Sequence, residues 1–440
     1  MAGVVHDGGM TTKTFRPYDP EQMLLMPPSL SDWVPEGHLA RGVSDLVDTL
    51  DLSAIEDTYT EERGYPPYHP RMMVKLLMYG YCTGTYSSRR IADKLIDSVA
   101  FRFLAAGNQP DFRTVSDFRK NHGQALEGLF DQVLEVCQKA GLVKLGKVAI
   151  DGTKIKANAS KHKAMSYGRM KQKESELKRQ VREMLKRAEQ IDKEEDRLYG
   201  RDKTGNELPE EFARADTRLK KIREAKAALE AEARAKAIER GKDPDDTIPP
   251  DKAQRNFTDP DSKIQKTKDG YIQGYNAQVA VDDTFQVIVS QHVTPTAPDV
   301  NELVPAMDSI KKRLGRKPKA VLADAGYWSE KNVEALGNRR IDAYIATQRQ
   351  KHGEESPPVK GRLPAGLSLR QTMARKLRTV AGRKVYSRRK VIVEPVFGQI
   401  KQARGFRQFL RRGVANVRHE WALVCTAHNI LKLFTAMAAA

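Results

Sequence analysis

Cysteine is scarce in this chain. Its three residues, Cys82, Cys137 and Cys425, lie far apart in 440 residues and offer no paired spacing for a zinc site or a disulfide framework. They read as reduced, mostly buried thiols. No apolar run approaches the roughly 18 residues that span a bilayer. An apolar secretory stretch is missing from the N-terminus too, so a cytoplasmic protein is expected. Acids are in short supply: 57 Asp and Glu face 76 Lys and Arg, giving a formal charge of +19. A pI near 9.6 then points to a polyanion, and without a membrane segment to nucleic acid. The length allows two or three domains with a substantial core.

The shortage of acids is sharpest between Glu355 and Glu420, where Glu394 is the only one. Around it lie Arg383, Lys384, Arg388, Arg389, Lys390, Lys401, Arg404, Arg407, Arg411 and Arg412. Pro395 suits the first turn of a helix, which puts Glu394 at or just before a helix start. One reading is a charged cap on a DNA-facing helix. The other is a catalytic carboxylate among phosphate-binding cations, and that reading needs partner acids elsewhere.

Taken in order, residues up to about Thr60 read as an extended arm leading into a helix over Leu39–Leu50. His69-Pro70 opens a helix to Tyr81 whose Met72, Met73, Leu76 and Leu77 recur at helical spacing. Ser87–Leu95 follows, then a helical pattern from Thr114 through Leu134 toward Cys137. Short helices punctuated by Gly84, Gly107 and Pro110 suit a helical module of helix-turn-helix character, or a plain scaffold. Arg89, Arg90, Arg102, Arg113, Arg119 and Lys120 would give it a DNA-facing side. Gly141–Lys147 resembles a phosphate-binding loop but fails twice. Val148 stands where Ser or Thr should hold magnesium, and the order is helix, loop, strand.

Lys147–Ile150 reads as a short buried strand that delivers Asp151 at its end. From about Ser160 to Pro250 the text becomes two heptad-patterned helices joined by a polar turn at Gly200–Pro209, an antiparallel hairpin. Beyond it, Tyr271–Val281 and Phe285–Val293 form a strand hairpin. A helix over Asn301–Leu314 comes next, then a strand Lys319–Ala323 ending at Asp324. Glu330–Leu336 is helical and Ala343–Ala346 a strand. A Pro- and Arg-rich connection (Pro357 to Arg383) leads to the Glu394 helix, and an apolar helix from Trp421 to Met437 closes the chain. His428 and Cys425 share its apolar face and read as core.

Open α/β sheets place their sites at the carboxyl ends of strands, which brings Asp151 and Asp324 together with Glu394. Three converging carboxylates repel, by about 1 kcal/mol per pair in water at ~4 Å and about 4 at an effective dielectric of 20. Divalent cations remove that cost, and oxygen-only ligands favour Mg2+ or Mn2+ over zinc. Two ions ~3.5–4 Å apart would clamp the attacking and leaving oxygens of an in-line phosphoryl displacement.

Five stretches carry a resemblance: His69-Pro-Arg, Ala149-Ile-Asp151-Gly-Thr-Lys, Gly274-Tyr-Asn-Ala-Gln278, Ala323-Asp324-Ala-Gly-Tyr and Val393-Glu394-Pro-Val-Phe-Gly398. Together with the element order, the chain resembles the bacterial insertion-sequence DDE transposases with a tyrosine–arginine–glutamate–lysine signature. That signature maps onto Tyr386, Glu394 and Lys401. Tyr386 lies one residue farther from Glu394 than usual, and the arginine position holds Lys390 with Arg389 adjacent. The resemblance implies an α/β, RNase H-like catalytic core over 145–160 and 255–440. A helical DNA-binding and assembly domain (1–140) would precede it, and the helical-hairpin arm (161–254) would be inserted. It implies metal-dependent strand cleavage and 3′-hydroxyl transfer, with Asp151, Asp324 and Glu394 holding two metals. Tyr386, Arg389, Lys390 and Lys401 would contact phosphates, and Tyr327 and Trp328, beside Asp324, would stack on an unpaired base, with packing as the other role for Trp328. Partners would be double-stranded DNA (terminal inverted repeats and target) and a second protomer in the DNA complex; the setting would be the bacterial cytoplasm, nucleoid-associated. A transposase-derived DNA-binding regulator and an RNase H-like nuclease without strand transfer are the alternatives.

Overall fold

The computed structural model describes residues 29–59, 66–199, 210–245, 247–267, 270–348 and 357–439, with side chains omitted over 187–213. The first 28 residues of the expected N-terminal arm and the Gly200–Pro209 turn lie outside the described residues.

The N-terminal part is helical: α1 Leu39–Thr49, α2 Ser53–Glu56, α3 Pro70–Cys82, α4 Ser88–Asp97, α5 Val99–Leu104, α6 Phe112–Asn121 and α7 Gly123–Lys139. His69 and Pro70 open α3 as their chemistry allows. His69 Nδ1 accepts from the Arg71 N–H at 3.2 Å, and Pro70 sits in the first turn, where no N–H is needed. The single helix expected from Thr114 toward Cys137 is instead two, broken at His122. Gly123 opens the second where the C-terminal helix packs so close that a Cβ would overlap the His419 ring.

After α7 come β1 Lys147–Lys156, β2 Ala164–Ser166, the arm helices α8 Tyr167–Tyr199 and α9 Glu210–Glu239, and β3 Gln254–Asn256. Next are β4 Lys263–Thr267, β5 Gly270–Asp282, β6 Ile288–Thr294, α10 Leu303–Leu314 and β7 Ala320–Ala323. The chain ends with α11 Glu330–Asn338, β8 Asp342–Ile345, α12 Leu369–Arg378, α13 Val380–Gly398 and α14 Val414–Ala438. Helix α12 lies inside the connection expected to be irregular, and Ser368 and Gln371 close its capping box.

The main sheet runs β4-β5-β1-β7-β8, with β6 also pairing β5. Strand β1 is antiparallel to β5 from Val148 to Lys156 and parallel to β7 only from Lys147 to Ala149. Asp151 is therefore mid-strand, not at a strand end. The apolar run stops at Ile150, but β5 continues to supply backbone partners as far as Lys156. Asp324 does follow the last residue of its strand.

One continuous core joins the N-terminal helices, the sheet and α14, across the boundary expected near residue 140. Among the described residues α14 is the one helix long and apolar enough by composition to cross a membrane, contrary to the sequence reading. It lies in the core instead, with Glu420, His428 and Asn429 all buried. Asn429 takes both backbone groups of Ile288, N–H to Oδ1 at 2.8 Å and Nδ2 to carbonyl at 2.9 Å, closing an edge strand as another strand would. Cys82, Cys137 and Cys425 are free and buried.

The arm has a small core of its own: Tyr167, Met170 and Leu177 against Leu219, Ile222, Ala225 and Leu229. At ~1.5 Å per residue its limbs run roughly 45–50 Å. Its base is tied down by charge, since Glu232 pairs with both Arg255 (2.5 Å) and Lys263 (3.1 Å).

Candidate active site

The β1–β7 register puts Ala149 beside Leu322. Asp151 and Asp324 each follow two residues after that last register pair, near enough that the Asp324 charge acts on the Asp151 carboxyl. Asp324 turns at once into a short helical turn and accepts the Gly326 N–H at 2.8 Å on Oδ1. Burial raises the Asp151 carboxyl to about 6; Arg389 works against that rise and the Asp324 charge adds to it.

Glu394 does not start a helix. Helix α13 begins at Val380 with Thr379 as its cap, and Pro395 lies inside it. Proline there leaves the Val391 carbonyl without its N–H partner. Gln286 supplies one, its Nε2 donating to that carbonyl at 3.0 Å from the β5–β6 turn. The helix then widens into a π-turn over Gln399–Ala403 that carries Lys401.

Arg389 bridges the acids. Its Nη1 donates to Asp151 Oδ2 at 3.1 Å, and its Nη2 lies 3.8 Å from Glu394 Oε1. The Arg389 side chain is 12% exposed and that of Glu394 53%, so the bridge runs from a half-buried aspartate to a solvent-facing glutamate. Burial opposes the guanidinium charge, but Asp151, Tyr386 and Asp324 outweigh it and hold the pKa above its ordinary value. Tyr386 donates to the Ala323 carbonyl at 3.3 Å, beside Asp324; burial raises its pKa. Lys401 is held by Thr153 Oγ1 and by the Lys154 carbonyl at 3.0 Å, and burial, then Arg407, lowers its pKa. Lys390, at the expected arginine position, is exposed, whereas Arg389 reaches the acids.

Two expectations fail here. Tyr327 is fully buried with its hydroxyl on Gln278 Oε1, so it cannot stack on a base. Arg119 does not face solvent; it donates to Tyr81 Oη (3.2 Å), the Tyr86 carbonyl (2.9 Å) and Ser88 Oγ (3.1 Å). Arg89, Arg90, Arg102, Arg113 and Lys120 are exposed. Trp328 is partly buried against the core, with Arg370 over its ring. The sequence reading missed Asp299, whose Oδ1 accepts from Asn276 Nδ2 and Gln278 Nε2, both at 2.6 Å, with Lys154 Nζ at 3.4 Å. Asn276 and Gln278 belong to a motif already noted, but nothing local marks Asp299 as their partner.

A divalent cation suits this donor set in type, since the acids offer hard carboxylate oxygens. It also suits the charge, because the Asp151 carboxyl is raised by burial and by its neighbour Asp324. In position, Asp151 and Asp324 adjoin while Glu394 stands beyond Arg389. Among the described residues no three potential ligands converge on one point as they stand.

An aspartate in one strand and a second just past the end of the neighbouring parallel strand, facing a basic helix with one more acid, define a mixed α/β protein with a candidate DNA-processing site. Two family models match the chain: Transposase domain (DUF772) over residues 28–121 and Transposase DDE domain over residues 245–430. Both are transposase families, and the two matches together support an insertion-sequence DDE transposase. Asp324, Tyr386, Glu394 and Lys401 lie inside the DDE match; Asp151 lies outside both matched spans. No curated protein and no solved structure matches the chain.

Proposed function

We propose that this transposase has an RNase H-like core and cleaves DNA at the ends of an insertion sequence, then transfers the freed 3′-hydroxyl into target DNA. The observation that carries the reading is the Asp151–Arg389–Glu394 bridge beside Asp324, within a chain matching a DDE domain. Asp151, Asp324 and Glu394 would hold divalent cations, Mg2+ or Mn2+, once Arg389 releases its carboxylates. When bound, such ions activate the attacking oxygen and stabilise the leaving one. The protein supplies no covalent nucleophile. Arg389, freed from the acids, and Lys390 hold the phosphate backbone near the scissile bond. Lys401 keeps β1 and α13 at a fixed separation while presenting its charge to the same phosphates. Tyr386 holds the end of β7, and with it Asp324, against α13.

Arg89, Arg90, Arg113 and Lys120 bind duplex DNA largely through phosphates. The arm helps assemble two protomers with two ends in the cytoplasm of a bacterial cell.

The test is cleavage and joining on the inverted-repeat DNA that flanks the gene, with thermal unfolding and end binding measured alongside. Asp151→Asn, Asp324→Asn and Glu394→Gln should all fold and bind, and none should cleave. Were Glu394 only a surface charge on α13, its Gln variant would cut DNA at near wild-type rate, and the catalytic assignment would fall. Binding without cleavage by the wild type would favour a DNA-binding regulator.

A further inference from the structure

Side chains alternate along β1, so Gly152 faces away from the Asp151 carboxylate. A Cβ at Gly152 would overlap Gln278 Nε2 and lie 2.8 Å from Asp299 Oδ1 and 2.9 Å from Asn276 Oδ1. A Cβ at Gly326, in the Asp324 turn, would lie 3.3 Å from Asp299 Oδ2. Asp299 therefore sits behind both candidate metal-binding aspartates at once, in contact with the residue after one and the turn of the other.

The polar contacts there have a fixed direction. A carboxylate only accepts, so Asp299 Oδ1 draws the NH2 groups of Asn276 and Gln278 toward itself. With Nε2 so held, Gln278 must turn Oε1 to the Tyr327 hydroxyl, which donates to it. The other end of the same turn is held too: Asn332 Nδ2 donates to the Tyr327 carbonyl at 2.8 Å and to the Val300 carbonyl, beside Asp299, at 2.7 Å. The Asp324 turn is thus tied to the Asp299 segment at two points. A one-residue shift of β5 or a flipped Gln278 amide would break the first.

We infer that Asp299, Gln278 and Tyr327 form a positioning relay that sets the separation of Asp324 from Asp151. This rests on the proposed assignment of those two aspartates as metal ligands. None of the three is among the proposed metal ligands; they act through the Asp324 turn. A displacement of about 1 Å at such a site can cost on the order of 100-fold in rate.

The experiment compares wild type, Tyr327→Phe and Asp299→Asn in the full chain. Tyr327→Phe keeps the buried ring and removes only the donor; Asp299→Asn replaces an acceptor-only group with one that also donates. Three quantities are read: the single-turnover cleavage rate at saturating DNA, the affinity for end DNA, and Mn2+ binding to the DNA-free protein by calorimetry. Both variants are expected to lose about 10- to 100-fold in rate and to weaken Mn2+ binding several-fold, with DNA affinity within about twofold. Lowered thermal stability with wild-type rate and Mn2+ affinity would make the network structural and overturn the relay. If one variant does not fold, the other decides. A wild type that neither cleaves nor binds Mn2+ would sink the proposed function and the relay with it. Active, Mn2+-binding wild type with indistinguishable variants would sink the relay alone.

Discussion

The surface of α4 and α6 and the segment from Arg383 to Arg412 are both rich in Arg and Lys, yet they use them differently. On α4 and α6, Arg89, Arg90, Arg113 and Lys120 all face solvent. The guanidinium groups of Arg89 and Arg113 lie 5.1 and 5.7 Å from the ring of the exposed Phe112. In the later segment Arg389 holds Asp151, and Lys401 is engaged by Thr153 and the Lys154 carbonyl. Arg411 donates to the Arg119 carbonyl, Arg412 to the Asn158 carbonyl, and Arg404 reaches the buried His428. Lys384, Arg388 and Lys390 remain at the surface. Two clusters of Arg and Lys thus serve two ends. One set is open to phosphates, whereas much of the other builds the walls of a site. The same substitution should therefore weaken binding in the first region and damage the site or the fold in the second.

The sharpest test of that contrast is Arg389→Ala. It removes a cation proposed to hold the phosphate backbone during cleavage and leaves Asp151 unpaired in the free protein, so cleavage is expected to fall ~100-fold or more and stability by about 2 kcal/mol. Arg389→Lys should not restore activity, since a lysine lacks the planar fork that grips a phosphate at two oxygens. Single-turnover cleavage and thermal unfolding check both, and retained cleavage in the Ala variant would break the contrast outright.

A smaller effect is expected in the interior. Burial, then Arg404 and Lys432, lowers the His428 pKa from 6.5 to about 3, with the Gln286 carbonyl opposing. The folded state holds His428 neutral, so its contribution is fully present above pH 6.5 and is lost as pH falls toward 3. That loss should reach a few kcal/mol across the window. His428→Gln should flatten the acid side of the stability profile while lowering stability at pH 7. An unchanged acid slope would show that His428 does not govern it.

The smallest effect per residue belongs to the open surface. Neutralising any one of Arg89, Arg90, Arg113 or Lys120 should reduce the slope of log affinity against log salt by about 0.9 and leave folding intact. A slope that does not move, measured on end DNA over a salt series, would make α4 and α6 a scaffold.

Much of this was legible because it is local. The His69-Pro70 start, the β5–β6 hairpin and Asp324 at its strand end follow from neighbouring residue types, which fix backbone preferences within a few positions. The charge excess depends on composition alone. Pro395 misled for a physical reason: a helix interior tolerates proline only where the orphaned carbonyl finds another donor, and that donor is Gln286, more than a hundred residues away. Asp151 read as a strand end because its own neighbours turn polar there, whereas the length of β1 depends on β5. Tyr327 read as a stacking surface until its partner, Gln278, buried it.

Which residue types are present for the chemistry, and how helices and strands alternate, is written in short stretches of chain, since periodicity and turn chemistry act over a few residues. Tertiary structure alone decided which cations face carboxylates and which face solvent, that Arg389 and not Lys390 reaches Asp151, and that Asp299 stands behind both aspartates. Those outcomes depend on strand register and helix docking. Each is a cooperative result of the whole core, which no short stretch of chain encodes.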